Sequence, residues 1–416
     1  MTILIRGGRV LDPARKIDRV GDLYIENGKI VKRCSVEETI DAKGLVVVPG
    51  LIDMHVHLRE PGREDKETIA SGSASALAGG FTSVACMANN GQPTDTHVQV
   101  GFIKARAAEV GGANIFPIGA VSKQLKGEEL AEMGAMAAEG AVAFSDDGFA
   151  IMNAGLMRRA LEYSRMFGKA VIAHCEDTNL SHGAIMNEGT VSTELGLPGY
   201  PNVAEAAMAT RDIMLSELTG GHVHIAHVST RETVDVVREA KRKKLRVTAE
   251  VAPHHLLLTD ESLRGYDSRF KMSPPLRTDE DVVALRKALA DGTIDVIASD
   301  HAPHTTDEKE RQFDACPNGV VGLETTVGVI LTLVANRKCT LNRAIEAMTI
   351  RPAKILGIKK GTLAVGADAD ITLLDPKKKW KVDPSRFLSK GKSTPFTGMT
   401  FQGQAVQTIV GGRVCS

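Results

Sequence analysis

His55 and His57 stand one residue apart inside the apolar run LVVVPGLIDMHVH. Side chains two apart on a strand point the same way, so both imidazoles would address one point. Two neutral imidazoles on one face suit a borderline cation such as Zn²⁺. Taken alone the pair is a weak signal, because histidines at this spacing also occur on surfaces and in packed interiors. It gains weight from similar residues elsewhere. Asp146-Asp147 closes the run AVAFSDD, His174 closes AVIA, His227 follows HVHIA, and Asp300 ends IDVIASD.

These runs belong to a regular series. From about residue 45, eight short β-branched or apolar segments alternate with amphipathic stretches of helical period, LMRRALEYSRMFG (156–168) and TVDVVREAKRKK (233–244) being the clearest. Alternating strands and helices indicate βαβ units and a parallel sheet, and eight units in this length fit a closed (β/α)₈ barrel. The C-terminal ends of barrel strands converge on one mouth, so the histidines and aspartates would meet there.

The chain ends break the pattern. Residues 3–48 read as short strands with Gly7-Gly8 and Asn27-Gly28 as tight turns, and strand character returns from Gly361. IRGGRV (5–10) and IVGGRV (409–414) are nearly the same hairpin-like word. Neither end could bury its apolar face alone, so 1–48 and 360–416 are expected to form one small composite β-sandwich beside a barrel spanning 49–359.

Bulk properties narrow the function. Lys plus Arg and Asp plus Glu are 51 each, which gives nucleic acid and anionic membrane no net attraction. The most apolar stretch, 320–335, is interrupted by Glu324 and is too short and polar to span a bilayer. The N-terminus reads as a strand and turn without an extended apolar core, and the six cysteines lack CxxC pairing. A reduced, cytoplasmic protein is the expectation.

HVHLREPG (55–62), FSDDG (144–148), HCED (174–177), GGHVHIAHVST (220–230) and SDHAPH (299–304) resemble the amidohydrolase superfamily, and within it the class I bacterial dihydroorotases. The likeness continues through SPPLR (273–277), GLET (322–325), GTLAVGADADITLLDP (361–376) and STPFTG (393–398), so it covers essentially the whole chain. It implies a barrel with a composite β-sandwich and a zinc centre of one or two ions. His55, His57 and Asp300 would hold one ion and His174 and His227 the other. Many relatives bridge the two with a carboxylated lysine. Residues 140–148 contain none, and the resemblance gives the bridge to Asp147. Asp146 is the alternative, although adjacent strand residues face opposite ways.

The implied reaction is the reversible ring opening of dihydroorotate to N-carbamoyl-L-aspartate, run toward closure in pyrimidine synthesis, with Asp300 carrying the proton. Arg59, Asn89 and His304 match the family's substrate contacts. Ser273 stands where an asparagine is usual, and MANNGQP replaces the usual MPNTxP. The Pro317–Gly319 turn would lend backbone groups to the ring. Two other activities stay open: a hydantoinase or allantoinase, and a non-catalytic partner of aspartate transcarbamoylase. A homo-oligomer, or an active enzyme associated with that transcarbamoylase, also fits the resemblance.

Other residues have plainer readings. His222 and His224 lie at odd offsets from the His227 side and are expected to pack in the barrel wall. His97 and His182 read as surface residues, His255 as structural or supporting, and Cys175 as a packed small residue. The basic runs at 240–246 and Lys377–Lys379 read as solvated surface.

Overall fold

The computed structural model describes residues 2–415. Eight parallel strands form the inner wall: β1 (Leu51–Val56), β2 (Phe81–Cys86), β3 (Asn114–Pro117), β4 (Phe144–Ser145), β5 (Ala170–Ala173), β6 (His222–Ile225), β7 (Val247–Val251) and β8 (Val296–Ile297). β1 pairs with β2 and β2 with β3, while β4 to β8 pair in sequence order. Bridges between Gly119 and Phe144 and between Val56 and His301 join the two groups and close the ring. The strands are short and nearly free of exposed positions, as expected where both faces are covered.

The outer layer follows the same order: α1 (Ile69–Ala78), α2 (His97–Val110), α3 (Met133–Glu139), α4 (Ala154–Met166), α5 (Asn202–Thr219), α6 (Arg231–Arg242), α7 (Asp279–Asp291) and α8 (Thr326–Ala335). α6 shows why such a segment is helical. Thr230 caps it by accepting from the Thr233 amide, Glu232 lies in the first turn, and Lys241 and Arg242 lie in the last. Its buried residues Thr233, Val234, Val237 and Ala240 recur at helical spacing. Both α4 and α6 begin two residues earlier than their apolar periodicity suggests, because the caps Asn153 and Thr230 set the start.

The two chain ends share one hydrogen-bonded sheet. Its order is Arg413–Val414, Thr400–Val410, Ile371–Lys381, Val46–Pro49, Thr2–Asp12, Ile17–Glu26 and Lys29–Val31, with Glu38–Asp41 also on the Thr2–Asp12 strand. It has its own apolar core, including Ile3, Ile5, Ile25, Val47, Ile371 and Ile409. Val46–Pro49 belongs to this sheet, whereas Leu51 already pairs with Phe81 in the barrel, so the run LVVVPGLIDMHVH changes sheets at Gly50. Asn27-Gly28 makes the expected two-residue turn, with positive φ at both positions. Gly7-Gly8 does not turn: it is a bulge inside the first strand, and only its counterpart Gly411-Gly412 closes a hairpin.

All six cysteines are free thiols. Among the described residues no helix is long and apolar enough to cross a membrane.

Candidate metal centre and substrate pocket

The chemistry-bearing residues sit at or just past strand C-termini. His55 is in β1 and His57 just beyond it, Asp147 follows β4, His174 follows β5, His227 lies two past the end of β6 and Asp300 three past the end of β8. Arg59, His227 and Asp300 have φ of 61°, 30° and 49°, a backbone region that side-chain-bearing residues rarely occupy. Such turns re-aim a side chain independently of strand alternation, and they gather where function over-determines the backbone.

Asp147 is the hub. Its Oδ2 lies 3.1 Å from His55 Nε2 and 3.5 Å from His57 Nε2, and its Oδ1 lies 3.1 Å from His227 Nε2 and 3.5 Å from His174 Nδ1. One carboxylate thus turns one oxygen to each histidine pair. Asp300 Oδ1 is 3.3 Å from His57 Nε2 and 3.6 Å from His55 Nε2, on the first pair's side only. Asp146 is engaged elsewhere: it accepts from the Val121 and Ser122 amides and from the Ser122 hydroxyl.

The donor set fits divalent cations. His55, His57 and Asp147 can converge on one ion, and Asp147, His174 and His227 on another. All are buried, and His55 Nε2 has no hydrogen-bond partner although it is shielded from water. A buried ring nitrogen without a well-aligned hydrogen bond, close to a carboxylate at 3.1 Å, is a position a cation can satisfy in place of a proton. Burial opposes charge on His55, but Asp147 and Glu250 outweigh it and hold the imidazole well above its usual range. His174 behaves likewise: burial is overcome by Asp147 and Glu176, which push it up to about 10. Asp300 is drawn down to about 2 against its burial by His57, His55 and His227. A cluster that keeps protons between buried carboxylates would exchange them for metal.

Above this centre opens a cavity of about 290 Å³. Arg59, Asn89, Ser273, Asp300 and His304 all line it, together with Phe149, Tyr200 and the Asn318-Gly319 backbone. Burial lowers the Arg59 guanidinium to about 10, so it stays cationic at neutral pH. Asn89 has a second contact, since its Oδ1 lies 2.6 Å from His57 Nδ1. His304 is held on both sides, with Nε2 2.8 Å from the Asn318 carbonyl and Nδ1 3.0 Å from Lys66 Nζ. Burial, with Arg59 and Lys66 nearby, depresses its pKa to about 3 and keeps it neutral.

Four acidic or basic residues around the site were not anticipated from the sequence: Glu250, Glu176, Lys66 and Glu308. Glu176 Oε2 lies 3.0 Å from His174 Nε2, and Glu308 lies 2.9 Å from Lys66 and 3.1 Å from His304. Glu250 is buried in β7 against His55 and His224. A signal existed, because a carboxylate inside the β-branched run RVTAEV is anomalous unless it is paired. The expectation of plain wall packing for His224 is therefore corrected: it hydrogen-bonds Glu250 and Thr248. Strand alternation does not relate His224 to His227, because β6 ends at Ile225 and His227 lies beyond it in a left-handed turn. His255 bonds the Pro274 carbonyl, next to the pocket residue Ser273.

A family model described as dihydro-orotase-like matches residues 44–233, and one described as an amidohydrolase family matches residues 215–415. A protein named dihydroorotase from Pelotomaculum thermopropionicum is 57% identical over 100% of this chain and 98% of its own length. Another of that name from Geobacter metallireducens is 52% identical over 100% of this chain and 99% of its own. Among solved structures, L-hydantoinase from Arthrobacter aurescens superposes with a TM-score of 0.89 at 26% identity, covering 99% of this chain and 95% of that one. D-hydantoinase from Thermus sp. gives 0.84 at 27%, covering 99% and 94%.

Proposed function

The chain belongs to the dihydroorotase family of the amidohydrolases, and from that premise we propose that it interconverts (S)-dihydroorotate and N-carbamoyl-L-aspartate for pyrimidine synthesis. The observation that carries the mechanism is the single carboxylate of Asp147 turned toward both histidine pairs. In this reading His55, His57 and Asp300 would hold one Zn²⁺, His174 and His227 would hold a second, and the Asp147 carboxylate would serve both. Zinc so held would polarise the amide carbonyl and make water a nucleophile near neutral pH.

The chain's own groups supply orientation and proton transfer. Arg59 takes the exocyclic carboxylate by a charge-assisted, two-point contact, because its planar fork matches that group. The Asn89 amide nitrogen and the Asn318-Gly319 backbone border the ring. Ser273 offers a hydroxyl at the same wall. Asp300, ionised and facing the cavity, accepts the proton of the attacking water and delivers it to the leaving ring nitrogen. The water oxygen ends on the carbonyl carbon, and the C–N bond breaks with the nitrogen protonated. Closure runs these steps backward. Holding the ring over Asp300 turns an encounter between solutes into an intramolecular event.

The proposal extends to a cytoplasmic location and a division into a composite terminal domain (1–48 with 360–416) and a catalytic barrel (49–359). It also includes self-association or association with aspartate transcarbamoylase alongside catalysis. A hydantoinase reading draws on the solved neighbours, yet identity to them is about half that to the dihydroorotases. The deciding experiment follows ring opening of dihydroorotate by absorbance on metal-analysed protein, with hydantoin and allantoin as competing substrates. Faster turnover of either neutral ring would replace this assignment.

A further inference from the structure

Glu250 touches both halves of the centre without lining the pocket. Its Oε1 lies 2.5 Å from His55 Nδ1 and 3.3 Å from the His227 backbone nitrogen, and its Oε2 lies 3.1 Å from His224 Nε2. His224 Nδ1 is in turn 2.8 Å from Thr248 Oγ1, a hydroxyl that also meets His222 Nε2 at 2.9 Å. Glu250, His55 and His224 are buried to within 1% of full exclusion. A carboxylate in such a place is tolerated only where its oxygens are satisfied by donors, and here both are.

We infer that Glu250 is a positioning residue for the metal centre, braced by His224, which sets the His55 tautomer and the His227 turn at once. This rests on the zinc reading above. Accepting from His55 Nδ1–H leaves the lone pair on Nε2, the nitrogen that faces Asp147 and Asp300. The same oxygen accepts the amide of His227, a residue whose φ of 30° needs an external tie to persist. One buried carboxylate therefore registers a ligand from β1 and a ligand after β6, and so touches both histidine pairs, as Asp147 does. His224 makes the arrangement rigid: with Oε2 fixed, the carboxylate cannot rotate away from His55. Outer partners of this kind typically change metal affinity ten- to a hundredfold.

The test is zinc affinity, measured by competition with a chromophoric chelator on wild-type, Glu250→Gln and His224→Gln proteins, with the melting temperature of each read in excess chelator. Glu250→Gln preserves shape while replacing the anionic acceptor. The expected result is a ten- to hundredfold rise in the zinc dissociation constants, extending to both ions, with the metal-free melting temperature close to wild type. A folded Glu250→Gln protein with unchanged zinc affinity overturns the inference. So does a loss of zinc that merely tracks a lower metal-free melting temperature, since that is what packing alone would produce. Should Glu250→Gln fail to fold, His224→Gln carries the test: a several-fold loss of zinc affinity supports the brace, and none overturns it. Wild-type protein that takes up no zinc would remove the metal centre itself, a result distinct from equal uptake by wild type and variants.

Discussion

His57 donates from Nδ1 to Asn89 Oδ1 at 2.6 Å, so a residue three positions beyond β2 fixes the orientation of a candidate ligand at the end of β1. That leaves only the Asn89 amide nitrogen for substrate. The adjoining Gly148 makes room for it: a Cβ there would come 2.7 Å from Asn89 Nδ2, and φ at this glycine is +86°.

Asn89 is thus expected to have two separable effects. Asn89→Ala should weaken zinc by ~10-fold or more through His57 and also raise KM. Asn89→Asp keeps an acceptor for His57, so zinc should stay, but the second oxygen then faces an anionic substrate and KM should rise more than kcat falls. An Asn89→Asp enzyme with wild-type KM for dihydroorotate would place the amide away from the substrate.

Metal removal supplies the second prediction. Prolonged chelation should abolish turnover and Zn²⁺ should restore it equally well in bicarbonate-free buffer, because a bridge made by the Asp147 carboxylate, as proposed, would need no carbon dioxide. Reconstitution that strictly requires bicarbonate would mean another group bridges the ions. Uptake should also be pH-dependent. His55 and His174 are raised above the ordinary imidazole range in the metal-free cluster, His174 to about 10, so zinc must displace protons at neutral pH. Affinity should therefore rise with pH and fall in acid. Proton release measured with a pH indicator would be zero if these imidazoles were already neutral.

Arg59 provides the third. Its pKa of about 10 leaves it charged across any practical assay, and its Nε donates to the Pro303 carbonyl at 3.3 Å, which anchors the fork against the wall. Arg59→Lys retains charge but not the planar pair of donors. The loss on dihydroorotate should be ~2–4 kcal/mol in kcat/KM, with far less on uncharged cyclic imides. Similar losses on both would show that the guanidinium does not meet the carboxylate.

Most of this architecture was legible because period and strand-end position are local properties of sequence. The barrel and the shared terminal sheet follow from them, while Arg59, Asn89, Ser273 and His304, which line the pocket, were legible only through the resemblance to a known family. What was not legible depended on backbone turns and on neighbours distant in sequence. The side that His224 faces cannot be counted from His227, because alternation stops at the end of β6 and His227 is a left-handed residue beyond it. A Gly-Gly pair such as Gly7-Gly8 fits a turn and a bulge equally well, and here it is a bulge. Glu250 reaches His55 across 195 positions, a separation no local pattern encodes.

The last prediction concerns Asp300, for which the functional reading claims both a metal contact and a proton carrier. Its carboxylate is lowered to about 2 despite burial, so it is ionised at every workable pH and able to accept. His304 is a poor substitute, because its two nitrogens are occupied by the Asn318 carbonyl and Lys66 and its pKa is near 3. Asparagine is nearly isosteric with aspartate and retains one oxygen, but it cannot take up a proton near neutrality. Asp300→Asn should therefore keep at least one zinc and bind dihydroorotate, yet lose ~10²–10⁴ in kcat. Since Asp300 does not titrate in the assay range, any rise of wild-type hydrolysis with pH belongs to the nucleophilic water. Ring closure should show the opposite trend, because it consumes a proton. A zinc-loaded Asp300→Asn enzyme with near wild-type kcat would reduce Asp300 to a ligand and leave the proton to solvent.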